Sequence, residues 1–237
     1  MRETWGMAGG SWRPMWLALA FTAAVLMLFS LWPELDLIAA RAAWSGDGFA
    51  AAGVPALKAF RKSSTWVLAI AALACLWLLA RAGWRRRSAS GLVDAPRAAT
   101  ALIGLVLGPG VLVNSILKQV WGRPRPVHLE MFGGEAPYVP VWQVSRWCPE
   151  NCSFTSGEGA SAAWLVYAAL LLPSPWRERL IGPALLYGVA LSFNRVLFGG
   201  HFISDVLVSW GLVGAVMAAV YALMRPLARP RLTEELA

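Results

Sequence analysis

Long apolar runs, separated by more polar breaks, dominate the chain at positions 15–32, 66–82, 100–117, 157–172, 180–197 and 204–224. Runs near the ~20 residues a helix needs to cross a bilayer predict six transmembrane helices. The fourth is short and the fifth is interrupted by Pro183, Asn194 and Arg195. Polar residues inside a span are costly, so their presence there points to function. Basic Arg2 and Arg13 precede the first run in the manner of a secretory signal. That run is long for a signal core, though, and continues into Pro33-Glu34-Leu35-Asp36 without a small-x-small cleavage site, so it reads as a retained helix.

Two of the breaks are long. Residues 33–65 include a modestly amphipathic stretch at 35–44, which reads either as an interfacial helix or as a plain connector. Residues 118–155 are rich in Pro, Gly and aromatic side chains, which argues against a long helix and for a structured loop.

Composition agrees with the pattern. Of 237 residues, 58% are hydrophobic and 14% charged, against nearly half and about a quarter in an ordinary soluble domain. A single all-α integral membrane domain over 1–237 is expected, a six-helix bundle. The formal charge of +8 invites a nucleic-acid reading, but such a protein gathers its cations on one solvated face. Here they punctuate apolar runs, so no nucleic-acid partner is expected. With the N-terminus inside, Arg2, Arg13, Arg81, Arg85, Arg86, Arg87, Arg97, Arg177, Arg179, Arg225, Arg229 and Arg231 all fall on the inner side. The positive-inside rule therefore predicts two cytoplasmic termini. Arg41, Lys58, Arg61, Lys62, Lys118, Arg123, Arg125, Arg146 and Arg195 then face outward. Three cysteines and two histidines are too few for a disulfide scaffold or a His-rich metal centre.

Three clusters place chemistry at the outer ends of the spans. Lys118-x6-Arg125-Pro126, with Arg123-Pro124 inside it, suits an anionic ligand, since guanidinium groups hold phosphate oxygens through paired hydrogen bonds. Cations snorkelling to the headgroups are the plainer reading. Residues 153–161, Ser-Phe-Thr-Ser-Gly-Glu-Gly-Ala-Ser, precede an apolar helix whose free N–H groups would favour phosphate. An ordinary cap by Ser156 or Thr155, with Glu158 in the first turn, explains them as well. Asn194-Arg195-x5-His201-x3-Asp205 joins the last two spans. If the sixth helix begins a turn early, His201 and Asp205 share a face, and the carboxylate fixes the imidazole tautomer.

Together these clusters resemble the type 2 phosphatidic acid phosphatase superfamily, whose pattern is K-x6-R-P, then P-S-G-H, then S-R-x5-H-x3-D. The chain supplies Lys118, Arg125 and Pro126, then Ser156 and Gly157, then Arg195, His201 and Asp205, so the signature spans 118–205. Asn194 stands for the family Ser, Thr155 for the Pro, and Glu158 for the His that in the family protonates the leaving group.

The resemblance implies a metal-independent lipid phosphatase without a cofactor. His201 attacks phosphorus to give a phospho-histidine that water hydrolyses, and Asp205 orients it. Lys118, Arg125 and Arg195 hold the phosphate oxygens, assisted by amides near Ser156 and Gly157. Three sources of the missing proton are open: Glu158 itself, if its pKa is raised; a leaving group needing no acid; or His128, the other histidine. The expected substrate is a phosphorylated lipid, such as phosphatidate, phosphatidylglycerol phosphate, a polyprenyl diphosphate or a lipid A phosphate, because the site opens where its tail can stay in the bilayer. The alternatives are a lipid phosphotransferase using the same intermediate, or a non-catalytic anionic-lipid binder or transporter, against which retention of His201 and Asp205 argues. A bacterial inner-membrane location with the site facing the periplasm is expected. In that oxidising compartment Cys148 and Cys152 are a candidate disulfide bracing the outer loop.

Overall fold

The computed structural model describes residues 12–84 and 89–224, and its named elements there are all helices. α1 (Arg13–Leu31) leads into the short α2 (Glu34–Ala43), and α3 (Pro55–Trp84) is followed by α4 (Ala89–Leu105). α4 runs on through a π-helical stretch (Val106–Leu117) into a last turn (Lys118–Val120). After the long loop come α5 (Gly157–Leu170), α6 (Trp176–Leu197) and α7 (Ile203–Met224). Five helices are long and apolar enough to cross a membrane: α1, α3, Ala95–Val120, α6 and α7. Their outer faces carry exposed Leu17, Met27, Ile70, Leu73 and Leu186, as a lipid-facing surface requires.

The expected fourth crossing is the exception. α5 has 14 residues, about 21 Å at the usual helical rise, short of a ~30 Å hydrocarbon core. It lies inside the bundle, with Gly157, Gly159, Ala160, Ala162, Ala163 and Trp164 all buried. Small residues let the neighbouring backbones approach closely. Trp164, fully buried, donates its indole N–H to the Ala101 carbonyl at 2.7 Å and ties α5 to α4.

Two further departures from the apolar pattern position the site. α3 begins at Pro55, well before its apolar run, because Pro suits a helix start and the polar residues that follow extend the helix beyond the membrane. Lys58, Arg61 and Lys62 ride on that extension. In α4, Gly108-Pro109-Gly110 interrupts regular hydrogen bonding. Asn114 and Ser115 repair it by donating side-chain hydrogen bonds to the Pro109 and Gly110 carbonyls at 2.7 and 3.1 Å. The widened turns end at Lys118.

The two long breaks pack on each other. α2 buries Leu37, Ala40 and Ala43, which meet Phe49, Leu129, Phe132, Ala136 and Phe202 in one apolar cluster. The amphipathic stretch is thus a helix docked on the second loop. Arg123 of that loop is fully buried, donating to Asp36 of α2 at 2.8 Å, to Asp205 of α7 at 2.6 Å, to Ser204 at 2.9 Å and to the Val139 carbonyl at 2.8 Å. Burial alone would lower its pKa; the two carboxylates outweigh burial and raise it, so the guanidinium stays charged. Arg123 is therefore spent on carboxylates and not on a ligand, unlike the expectation from its place in the first cluster.

This knot also sets the topology. The end of α1, α2, the start of α7, the end of α6 and the start of α5 share one end of the bundle, and the Arg13 and Met224 ends lie at the other. Arg81, Arg97, Arg177 and Arg179 belong to that other end as well. Arg2, Arg85, Arg86, Arg87, Arg225, Arg229 and Arg231 fall outside the described residues. Removing one partner of a buried ion pair typically costs about 3–5 kcal/mol. Arg123→Leu is therefore expected to lower the Tm of the detergent-solubilised protein sharply, whereas Arg41→Leu, whose pair with Glu34 is exposed, should leave it nearly unchanged.

Candidate active site

Each of the three clusters delivers residues to this end of the bundle. Lys118 closes the α4 extension and is buried, with 8% exposure. Ser156 caps α5, its hydroxyl accepting from the Gly159 N–H at 3.1 Å. Gly157 and Glu158 open that helix, so the plain capping explanation and the convergence on a site hold together. A Cβ on Gly157 would stand 2.6 Å from Asn114 Oδ1 and 3.2 Å from Lys118 Nζ, so only a glycine lets the start of α5 approach the lysine this closely. Arg195, in the last turn of α6, is 2% exposed, and its Nε lies 3.2 Å from Glu158 Oε1.

His201 sits in the turn between α6 and α7, completely buried. Its Nδ1 lies 2.7 Å from the Ser153 carbonyl oxygen. A carbonyl only accepts, so Nδ1 carries the proton in the neutral ring and Nε2 keeps a free lone pair. Nε2 is buried without a hydrogen-bond partner, and 3.8 Å away is Glu158 Oε2.

Here the structure corrects the expected Asp205–His201 pair. His201 lies outside α7 and shares no helical face with Asp205. Asp205 instead accepts from Arg123, from the Ser153 hydroxyl at 2.5 Å and from the Phe202 N–H at 3.0 Å. The last of these is the helix start's own device, an N3 carboxylate reaching back to the N-cap amide. Asp205 thus reaches the imidazole through Ser153, whose hydroxyl it holds and whose carbonyl holds Nδ1. Sequence spacing alone could not single out Ser153, Arg123 or Asp36 for this arrangement. The only trace was the doubled Arg-Pro of Arg123-Pro124-Arg125-Pro126.

Arg125 stands at the rim. Its Nη2 donates to the Asn151 carbonyl at 2.7 Å and to Asn151 Oδ1 at 2.8 Å. Asn151 belongs to the tight loop closed by Cys148 and Cys152, which are joined as a disulfide with Cα atoms 5.6 Å apart. His128 is exposed in a short 3-10 turn (Pro126–His128), and no described contact links its ring to His201 or Glu158.

Glu158 lies outside the five spanning helices, and the structure gives its charge a sign. Burial would raise its pKa, but the charges of Arg195 and Lys118 oppose burial and hold it well below the usual carboxylate range. In the ligand-free site it is ionised. His201 moves below its ordinary 6.5, chiefly through burial and also through Arg195, with Glu158 and Asp205 offsetting only part. The site therefore presents a neutral imidazole beside several cations and one carboxylate. An apolar hollow of about 460 Å³, lined by Phe21, Phe193, Val196, Ile203, Val206 and Trp210, lies beside this polar cluster and not at its centre.

The family model described as the PAP2 superfamily matches residues 98–229. A protein of Rhizobium leguminosarum named lipid A 4'-phosphatase is 32% identical over 84% of this chain and 91% of its own length. One of the same name from Rhizobium etli is 33% identical over 84% of this chain and 83% of its own. Another from Francisella tularensis subsp. novicida is 38% identical over 51% of this chain and 54% of its own. No solved structure shows significant similarity to the chain.

Gly200 tests how tightly the cluster is built, since a Cβ there would collide with the Arg195 guanidinium. Displacing a positioning group by about 1 Å can cost ~100-fold in rate. Gly200→Ala is expected to lower kcat/KM for phosphate release by roughly that factor while the Tm stays near wild type.

Proposed function

The chain belongs to the PAP2 superfamily and is an integral membrane lipid phosphatase of that type, and from this premise we propose that it removes a phosphate from a lipid A-type glycolipid through a phospho-histidine on His201. The substrate class rests on relatives named lipid A 4'-phosphatase that align along most of the chain. The observation that carries the mechanism is His201 Nε2, buried, without a hydrogen-bond partner and 3.8 Å from Glu158, whose other oxygen Arg195 holds.

Nδ1–H on the Ser153 carbonyl aims the Nε2 lone pair at an incoming phosphorus. Lys118, Arg125 and Arg195 balance the charge on the phosphoryl oxygens, which is the main task in phosphoryl transfer. As the N–P bond forms, the bond to the sugar oxygen breaks and that oxygen needs a proton. Glu158 supplies it. In the empty site the cations keep this residue ionised; a bound phosphate dianion offsets them, burial then dominates, and the carboxyl takes up a proton. After the alcohol leaves, water attacks phosphorus, the N–P bond breaks and Glu158 accepts the water's proton. Asp205, Ser153 and Arg123 act on His201 as positioning residues.

On this proposal the reaction takes place on the periplasmic side of a bacterial inner membrane. The basic residues favour inner termini opposite the site, and a disulfide-closed loop suits an oxidising compartment. The sugar headgroup reaches the polar cluster while the acyl tails remain in the bilayer.

The decisive measurement is phosphate release from a panel of phosphorylated lipids by the detergent-purified protein, with and without chelator. Release from lipid A is expected to persist in chelator and to vanish in His201→Ala; survival in His201→Ala or loss with EDTA sinks the mechanism. Glu158→Gln should slow a sugar phosphate by ~100-fold or more and an aryl phosphate, whose leaving group needs little acid, far less. Equal effects on both would remove the acid role. Because attack needs neutral His201, kcat/KM should fall as pH drops through the lowered imidazole pKa, with a midpoint below 6.5.

A further inference from the structure

Beyond the signature cations, one more arginine reaches the site from a helix outside the family match. Arg61 stands on the polar extension of α3, and its Nε lies 3.3 Å from Glu158 Oε1. Arg195 Nε lies 3.2 Å from that same oxygen. The other carboxylate oxygen, Oε2, lies 3.8 Å from His201 Nε2. Glu158 thus spans the distance from the nucleophilic nitrogen to a point shared by two guanidinium groups. One edge of a phosphoryl group under attack by Nε2 has to span the same distance.

We propose that Arg61 is a fourth phosphate-binding cation, parked on Glu158 in the ligand-free site and transferred to the substrate's phosphoryl oxygens when these displace the carboxylate. The inference rests on the phosphatase reading of the site. The Arg195 side chain is buried and fixed at 2% exposure, whereas that of Arg61 is 46% exposed and free to turn without breaking a packed core. The groups facing Glu158 are Arg61 from α3, Lys118 from the α4 extension, Arg195 from α6 and His201 from the turn, with Arg125 at the rim. A single carboxylate cannot balance these cations, and a phosphate dianion comes closer. Substrate therefore competes with Glu158 for the same donors. An arginine suits the exchange because its fork can hold a carboxylate and then a phosphate in the same planar way.

The test is a four-member cycle in the full-length protein: wild type, Arg61→Ala, Glu158→Gln and the double variant, each titrated calorimetrically with inorganic phosphate. If Arg61 holds phosphate, Arg61→Ala weakens binding about tenfold, the scale of one charged hydrogen bond. The same loss appears in the Glu158→Gln background, and Arg61→Lys restores part of it. Glu158→Gln alone binds phosphate more tightly than wild type, because the competing anion is gone. If Arg61 serves only to restrain Glu158, adding Arg61→Ala to Glu158→Gln changes nothing, and the proposal is overturned while the phosphatase reading stands. A wild type that binds phosphate in no measurable amount and releases none from lipids overturns both.

Discussion

A single guanidinium, that of Arg123, holds the site end of this protein together. It is buried to zero exposure between Asp36 and Asp205, which come from opposite ends of the chain, and it hydrogen-bonds Ser204 and a loop carbonyl as well. Placing three charges in an apolar interior is favourable only when every partner is present. The α2 helix, the second long loop and the start of α7 must therefore close on one another together. The position of His201 follows from this closure. Asp205, fixed by Arg123, fixes Ser153, and the Ser153 carbonyl fixes the imidazole.

The electrostatics around Glu158 have the opposite balance. Around Arg123 one buried cation serves two carboxylates, whereas around Glu158 the cations are in excess and buried donors of Arg195 are left without hydrogen-bond partners. A buried, incompletely satisfied cluster is costly, and the arrival of an anion relieves that cost. The adjacent carboxylate keeps the empty site tolerable and, on the mechanism proposed above, becomes the acid once the anion has taken its place. A histidine at position 158, held neutral by the same cations as His201, would leave the positive charge of the empty site unreduced. On the proposed mechanism, Glu in that place couples the proton to the presence of phosphate.

The helical scaffold serves both clusters. α5, with 14 residues, is shorter than the five candidate spans and is enclosed by them, which puts its N-terminus at the site and not at a lipid surface. The π-helical stretch of α4, forced by Gly108-Pro109-Gly110 and repaired by Asn114 and Ser115, delivers Lys118 against Gly157.

The amino-acid sequence by itself determined the membrane class, the helical architecture and the family, because these depend on local quantities: run length, apolarity and the spacing of Lys118, Arg125, Ser156, Gly157, Arg195, His201 and Asp205. The cap at Ser156 was legible for the same reason, since a capping residue and its amide lie three positions apart. Tertiary structure alone decided which polar groups touch. Asp36 meets Arg123 across 87 positions and Arg61 meets Glu158 across 97, and no periodicity links partners so distant. The four-residue step from His201 to Asp205 suggested a direct pair, yet the helix begins after His201, and its first turn spends Asp205 on the Phe202 amide, on Ser153 and on Arg123. Likewise the sign of the Glu158 shift could not be read from residue types, since burial and cations act in opposite directions and only their distances decide which prevails.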